Sequence, residues 1–139
     1  MSALFIDRAD AGRQLAERLA REQLPPPLIV LALPRGGVPI GAEVARRLGA
    51  PLDLLLVRKI GAPWQRELAV AAVVEGDGPE VVIDEETLAA SGASPAYVQA
   101  QAKLEWREIE RRRALYLQGR ARPALAGATV VVVDDGIAT

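Results

Sequence analysis

Residues 28–57 read LIVLALPRGGVPIGAEVARRLGAPLDLLLV, and this stretch combines two apolar segments with a helical pattern between them. Leu28 to Leu33 is a continuous apolar run, which is typical of a strand buried on both faces. Pro39 to Leu48 predicts a helix, because proline suits a first turn, apolar residues recur every four positions and Gly49 can cap the end. Leu52 to Val57 predicts a second strand. The stretch therefore predicts a βαβ unit of a parallel sheet.

The turn between the first strand and the helix is Pro34-Arg35-Gly36-Gly37. Two adjacent glycines let backbone N–H groups approach an anion, and Arg35 adds a forked positive charge. A dinucleotide site is disfavoured, because Gly36, Gly37 and Gly41 do not make G-x-G-x-x-G. The second strand also ends in Arg58-Lys59, whereas an NAD site needs an acid there. Both motifs also have an interpretation without a ligand. Gly36 and Gly37 can simply form a tight turn, and Arg58 and Lys59 can simply be a solvated strand end.

The last ten residues repeat this arrangement of a strand followed by polar groups. Val130 to Val133 predicts a buried strand, and Asp134 and Asp135 follow it directly. Ligands of parallel sheets bind beyond the carboxyl ends of the strands, where two acids can hold paired hydroxyls or a metal-bound sugar. The turn from Gly136 to Thr139 offers N–H groups to a phosphate. Strands ending in Asp-Asp also occur in receiver domains and nucleoside-triphosphate hydrolases, so the motif needs its context.

Taken together, residues 28–139 resemble the type I phosphoribosyltransferases, which use phosphoribosyl pyrophosphate (PRPP). The segments Leu-Pro-Arg-Gly-Gly-Val-Pro and Val-Asp-Asp-Gly-Ile-Ala-Thr are similar to those of an uncharacterised bacterial group in this family. The resemblance implies that the loop Pro34, Arg35, Gly36 and Gly37 holds the pyrophosphate and includes a non-proline cis peptide. It implies that Arg58 and Lys59 also contact the pyrophosphate and that Asp134 and Asp135 hold the ribose hydroxyls. The 5′-phosphate loop would begin with Gly136, Ile137, Ala138 and Thr139.

The implied reaction transfers ribose-5-phosphate from PRPP to a nitrogenous base or amine and releases pyrophosphate. Mg²⁺ would be bound mainly through PRPP, with no direct protein ligand. Asp134, Asp135, Arg58 and Lys59 are the predicted catalytic residues, because charges near the ribose and the leaving group stabilise the transition state. Relatives that salvage 6-oxopurines carry an acid/base aspartate at the position of Ala138, so hypoxanthine or guanine salvage by that route is disfavoured. Two alternatives stay open: a non-catalytic PRPP- or nucleotide-binding regulatory module, and an inactive fragment of a longer enzyme.

The expected fold is α/β, with a mostly parallel sheet flanked by helices in one domain over residues 1–139. In the family pattern a glycine follows the position of Thr139. We therefore expect the chain to stop inside the PRPP motif and to lack the elements that follow it. We also expect it to bind PRPP weakly or not at all and to be catalytically inactive, whereas a longer version would work.

The amino-acid composition excludes or disfavours several classes of function. The 139 residues include no cysteine and no histidine, which excludes a disulfide framework, thiolate metal sites and histidine chemistry. A formal net charge of −1 disfavours a general nucleic-acid partner. Neither a signal peptide nor an apolar run of membrane-spanning length is visible, so a cytoplasmic protein without membrane contact is expected. The expected partners are PRPP and a small base or amine, and a homodimer stays open.

The rest of the chain predicts helices and one hairpin. Asp10 to Gln23 predicts an amphipathic helix with Leu15, Ala16 and Leu19 on its inner face. Leu68 to Glu75 predicts a strand that turns at Gly76-Asp77-Gly78 and returns through Val81 to Ile83. Ser94-Pro95 predicts the start of a long helix that ends near Gln118.

Two further features leave alternatives open. Trp64 lies in a segment predicted to be irregular after Arg58-Lys59, where it is either a lid over the site or an anchor for the loop. Arg111 to Arg113 near the end of the long helix favour a solvated helix face over a phosphate or partner site.

Overall fold

The computed structural model describes residues 4–76, 78–118 and 123–136. The chain divides into two compact units, and each is described by itself. The first unit comprises Met1–Leu55 with Arg122–Thr139, and the second comprises Leu56–Ala121. In chain order the elements are α1 (Arg8–Ala20), β1 (Leu28–Ala32), α2 (Gly37–Leu48), β2 (Leu52–Leu54), β3 (Val57–Ala62), β4 (Gln65–Val74), β5 (Glu80–Ile83), α3 (Glu85–Ser91), α4 (Pro95–Leu117) and β6 (Thr129–Val133).

The first unit is built on a parallel sheet with strand order β2-β1-β6. Val30 in the central strand is aligned with Leu52 on one side and Val131 on the other. Helix α2 packs against all three strands, and α1 packs on α2. The apolar residues form one core because burial removes their surfaces from water. The predicted α/β class, with a parallel sheet flanked by helices, is confirmed. The buried core cluster consists of Ala16, Val30, Ile40, Val44, Ala45 and Val133.

The helix of the βαβ unit has nearly the bounds that the sequence predicts. Helix α2 begins two residues before the predicted Pro39, because the Gly37 and Val38 N–H groups donate to carbonyl groups of the preceding loop. It ends before Gly49, which has a φ of 64° in the left-handed region, as a glycine cap requires.

The predicted strand from Leu52 to Val57 is wrong, since two strands occupy this apolar run. Strand β2 ends at Leu54, although the Leu55 N–H still donates to the Ala32 carbonyl at 2.9 Å. The next residue, Leu56, instead exchanges hydrogen bonds with Glu75 of the second unit. An apolar run does not indicate which sheet its backbone will pair with, so its pattern could not place this break.

The second unit is an antiparallel sheet with strand order β3-β4-β5. Helix α4 packs on β3 and β4, and α3 packs on β4. The predicted hairpin between β4 and β5 is confirmed, although Asp77 in its turn lies outside the described residues. The predicted long helix is also confirmed, because the Ser94 hydroxyl accepts the Tyr97 N–H and Pro95 is its first residue.

Two smaller expectations are wrong. Trp64 does not lie in a long irregular segment, because Pro63 and Trp64 form the short turn between β3 and β4, where Trp64 is 65% exposed. Leu15 is exposed rather than on the inner face of α1. The small residues Gly12 and Ala16 are the buried ones, and their size lets α1 lie close to α2. In the described ranges, no helix is both long enough and apolar enough to cross a membrane.

Candidate functional site

Two loops meet at the carboxyl edge of the parallel sheet in the first unit. Strands β1 and β6 are parallel neighbours, and Ala32 is aligned with Val133. The loop Pro34–Gly37 follows β1, and Asp134 to Gly136 follow β6, so both lie at the same edge. Motifs separated by about a hundred residues in the sequence are thus brought together, as the sequence predicts.

The two glycines of the first loop lie directly against the second. A Cβ atom built on Gly36 would overlap the Asp135 carboxylate. A Cβ atom on Gly37 would lie 2.7 Å from the carbonyl oxygen of Val133. Gly36 has an ordinary φ of −62°, so its contribution is the close approach rather than an unusual backbone conformation. Any side chain at these positions would separate the loop from the acids.

The loop Pro34–Gly37 has several features that favour the binding of an anion. The Gly37 N–H donates to the Leu33 carbonyl at 3.0 Å, whereas within the described residues the Arg35 and Gly36 N–H groups have no acceptor. The exposed Arg35 guanidinium has no ion-pair partner in that part of the chain. The peptide bond between Pro34 and Arg35 is cis, as the resemblance implies. The loop leads into the N-terminus of α2, where the helix dipole favours negative charge.

The two acids are held by different partners. The Asp134 Oδ1 atom accepts the Asp135 N–H at 2.8 Å. The Asp135 Oδ2 atom accepts a hydrogen bond from the Arg8 guanidinium at 2.9 Å. That bond is the main reason why the pKa of Asp135 lies below its ordinary value.

A cavity of about 570 Å³ opens beside the acids. Its volume falls in the range of roughly 300–1,000 Å³ that is usual for small-molecule sites. One wall comes from the start of α1, and the acids form another. The lining residues are Phe5, Asp7, Arg8, Ala11, Leu15, Ile40, Asp134 and Asp135.

The end of the predicted phosphate loop is only partly described. Gly136 is exposed and follows Asp135 directly. Ile137, Ala138 and Thr139 lie outside the described residues, so their assignment to the 5′-phosphate stays a prediction.

Arg58 and Lys59 belong to the second unit, and they do not follow the end of a strand as the sequence suggests. They are the second and third residues of β3, so their side chains point to opposite faces of the sheet. The Arg58 Nε atom donates to Glu105 of α4 at 2.7 Å, and Lys59 is exposed. Their role at the pyrophosphate stays a prediction.

The three consecutive arginines of α4 have structural partners. Arg111 and Arg112 both pair with Glu108 on the same helix, and these contacts lower the Glu108 pKa to about 2. Arg113 reaches Glu75, which is 3% exposed. The first two pairs agree with the solvated helix face that the sequence favours. The third holds α4 to the end of β4, which no sequence pattern indicates.

Arg8 is a partner of Asp135 that the sequence motifs did not indicate. It lies 127 residues before Asp135 and belongs to no recognised motif, so only the packing of α1 reveals it. Across the described ranges no cluster of three or more Asp, Glu, His or Cys residues is arranged to hold a metal ion.

Comparisons with known proteins cover nearly the whole chain. The family model described as "Phosphoribosyl transferase domain" matches residues 6–139, which includes parts of both units. Two Mycobacterium tuberculosis proteins, from strains CDC 1551 and H37Rv and each named "Putative phosphoribosyl transferase", are 47% identical over 136 residues. This alignment covers 98% of the chain but only 30% of each relative.

A solved structure shares the fold. The crystal structure of TT1426 from Thermus thermophilus matches with a TM-score of 0.76 and 44% sequence identity. The match covers 94% of this chain and 61% of the Thermus chain.

The prediction of a single domain over residues 1–139 stays a prediction.

Proposed function

Because this chain belongs to the phosphoribosyl transferase domain family, we propose that it binds PRPP and transfers ribose-5-phosphate to a nitrogen acceptor. One observation carries the proposal: Gly36 lies directly against the Asp135 carboxylate. A loop suited to an anion and an acid suited to sugar hydroxyls therefore share one edge of the parallel sheet. PRPP presents a pyrophosphate and two ribose hydroxyls next to each other, so its chemistry fits both sides of this contact.

The pyrophosphate would bind at Pro34–Gly37. The Arg35 and Gly36 N–H groups and the Arg35 guanidinium are donors for its oxygens. Arg58 and Lys59 are proposed to add positive charge to the leaving group. The 5′-phosphate is assigned to the loop that begins at Gly136.

The ribose would bind through its hydroxyls to Asp134 and Asp135. In the transfer the bond from ribose C1 to the pyrophosphate oxygen breaks, and a bond from C1 to the acceptor nitrogen forms. The electron pair of the broken bond leaves with pyrophosphate, and the acceptor nitrogen loses its proton to water. The ribose carries positive charge as the leaving group departs, and nearby ionised carboxylates stabilise that charge.

Mg²⁺ is proposed to enter this site as an ion that PRPP brings with it. Among the described residues no group of three or more acids is arranged to hold a metal ion by itself. Mg²⁺ commonly binds through substrate phosphates and retained waters, where it neutralises charge on the pyrophosphate. We therefore assign no residue of this chain as its ligand.

The acceptor is proposed to be a nitrogenous base or an amine that enters through the cavity beside Asp134 and Asp135. Phe5, Leu15 and Ile40 supply apolar surface there. Ala138 offers no acid/base group, so an acceptor that reacts without such a group is favoured.

Pyrophosphate release from PRPP with Mg²⁺ tests the proposal directly. This chain and a C-terminally longer one are incubated with a panel of purines, pyrimidines and simple amines, and the Asp134→Asn/Asp135→Asn variant of each is the matched control. We expect acceptor-dependent release from the longer chain that its control variant loses. PRPP binding without turnover of any acceptor would instead favour the regulatory module. Absence of PRPP binding would reject the proposed function.

A further inference from the structure

We propose that Arg8, the first residue of α1, is a positioning residue for PRPP, because it holds the Asp135 carboxylate in place beside Gly36. The inference rests on the proposed function. It adds a residue from outside the sequence motifs and gives the N-terminal helix a part in the site.

The first turn of α1 is fixed by two local features. The Asp7 side chain caps the helix by accepting the Asp10 N–H at 2.8 Å. One turn further on, Gly12 lies so close to α2 that an added Cβ would be 2.9 Å from the Cβ of Glu43. Helix α2 starts at the glycine loop, so the close packing at Gly12 places Arg8 at a defined distance from that loop.

Arg8 then makes the contact that links α1 to the acids. Its guanidinium donates to the Asp135 Oδ2 atom at 2.9 Å, and that carboxylate also faces Gly36. A carboxylate has about four acceptor positions on its two oxygens. A single bond from Arg8 therefore leaves capacity for a ribose hydroxyl, so Arg8 orients Asp135 without blocking it.

The charges around the cavity support the same role. Among the described residues that line it, Arg8 is the one cation, and Asp7, Asp134 and Asp135 are acids. Arg8 is therefore the positive charge in this lining that pairs with the Asp135 carboxylate, at 2.9 Å. The Arg8 contact also lowers the pKa of Asp135, which keeps the carboxylate in its acceptor form.

A mutant cycle tests whether Arg8 acts through Asp135. PRPP with Mg²⁺ is titrated calorimetrically into the parent protein, Arg8→Gln, Asp135→Asn and the double variant. Arg13→Gln is the matched control, because Arg13 lies on the same helix, is similarly exposed and pairs with Asp10 instead. In Arg8→Gln we expect affinity to fall about two- to fivefold, as for an exposed ion pair. We expect no further fall when Arg8→Gln is added to Asp135→Asn, and no change in Arg13→Gln.

Each outcome decides the inference. Arg8→Gln that binds PRPP as tightly as the parent, or more tightly, would overturn it and leave the proposed function intact. An equal loss with and without Asp135→Asn would also overturn it, because Arg8 would then act independently. A parent protein that fails to bind PRPP would overturn the proposed function and this inference together.

Two further measurements keep the test independent of folding and of PRPP. Arg8→Lys preserves the charge but not the forked donor set, so we expect it to recover part of the affinity. If Arg8→Gln does not fold, as judged by circular dichroism, Arg8→Ala, which also removes the charge and the donors, replaces it in the same cycle under the same criteria. Carbon NMR of the Asp135 carboxyl, without ligand, should show a higher pKa in Arg8→Gln than in the parent. An unchanged pKa would contradict the link between the two residues.

Discussion

Asp134 and Asp135 are exposed acids whose position at the sheet edge matters more than their contribution to the fold. Replacing both by Asn should weaken PRPP binding roughly ten- to hundredfold for each charge-assisted hydrogen bond that is lost. The melting temperature should change little, because neither side chain is buried. Calorimetric titration and thermal unfolding of the same sample measure both effects. Parent-like PRPP affinity in the double variant would reject the assignment of the ribose hydroxyls to this pair.

Gly36 is the residue at which the two loops touch, so even one methyl group should disturb the site. Gly36→Ala puts a Cβ atom into the Asp135 carboxylate and forces the loop and the acid apart. Because displacements of about 1 Å in a binding site are costly, we expect at least about tenfold weaker PRPP binding. Gly78→Ala is the matched control, since among the described residues beyond its chain neighbours no atom lies within 4 Å of its added Cβ. Equal affinities of the two variants would show that the close approach at Gly36 is not needed.

The pH dependence of PRPP binding should report the ionisation of Asp135. Its pKa lies below the ordinary aspartate value, chiefly because Arg8 donates a hydrogen bond to it. The Arg8 contact therefore moves the acid limb of PRPP affinity to lower pH, and Arg8→Gln should move that limb to higher pH. PRPP titrations of both proteins from neutral to acidic pH measure the limb, after correction for the protonation of PRPP itself. An acid limb at the same pH in both proteins would contradict the Arg8 contact.

At the scale of elements, one ion pair joins α4 to the end of β4 in the second unit. Glu75 is 3% exposed, and Arg113 donates to both of its carboxylate oxygens. Arg113→Met would leave a buried carboxylate without this partner and should lower the free energy of unfolding by about 3 kcal/mol. Urea denaturation measures the loss. Arg111→Met is the control, because its pair with Glu108 is exposed and should contribute little. Similar stabilities of the two variants would show that the Glu75 pair is not structural.

The elements also show which features the sequence could predict. Helix α2 and the hairpin of β4 and β5 follow from local patterns, because periodicity and turn residues act over a few positions. The break between β2 and β3 does not follow. Leu55 still bonds to the parallel sheet, whereas Leu56 bonds to Glu75, and both residues are leucines in one apolar run. The boundary between β2 and β3 depends on which distant residues each leucine pairs with, and the residue type does not indicate that pairing.

At the scale of the whole molecule, part of the candidate site was predictable from the sequence and part was not. The glycine loop and the acid pair were predictable, because each follows an apolar strand and parallel strands align their carboxyl ends. The predicted full burial of the second strand is wrong, because β6 is an edge strand in which Val132 is 56% exposed. The partners of the charged residues were not predictable. Arg8 reaches Asp135 through the packing of α1 on α2, and Arg58 pairs with Glu105, a residue 47 positions away. Such contacts depend on tertiary packing, so no local sequence pattern reveals them.

A crystal structure of the protein with PRPP and Mg²⁺ tests the central claim most directly. We predict that the ribose hydroxyls lie within hydrogen-bond distance of Asp134 and Asp135. We also predict that the pyrophosphate contacts the Arg35 and Gly36 N–H groups. PRPP bound away from the carboxyl edge of β1 and β6, with these acids and this loop making no contact to it, would contradict the account.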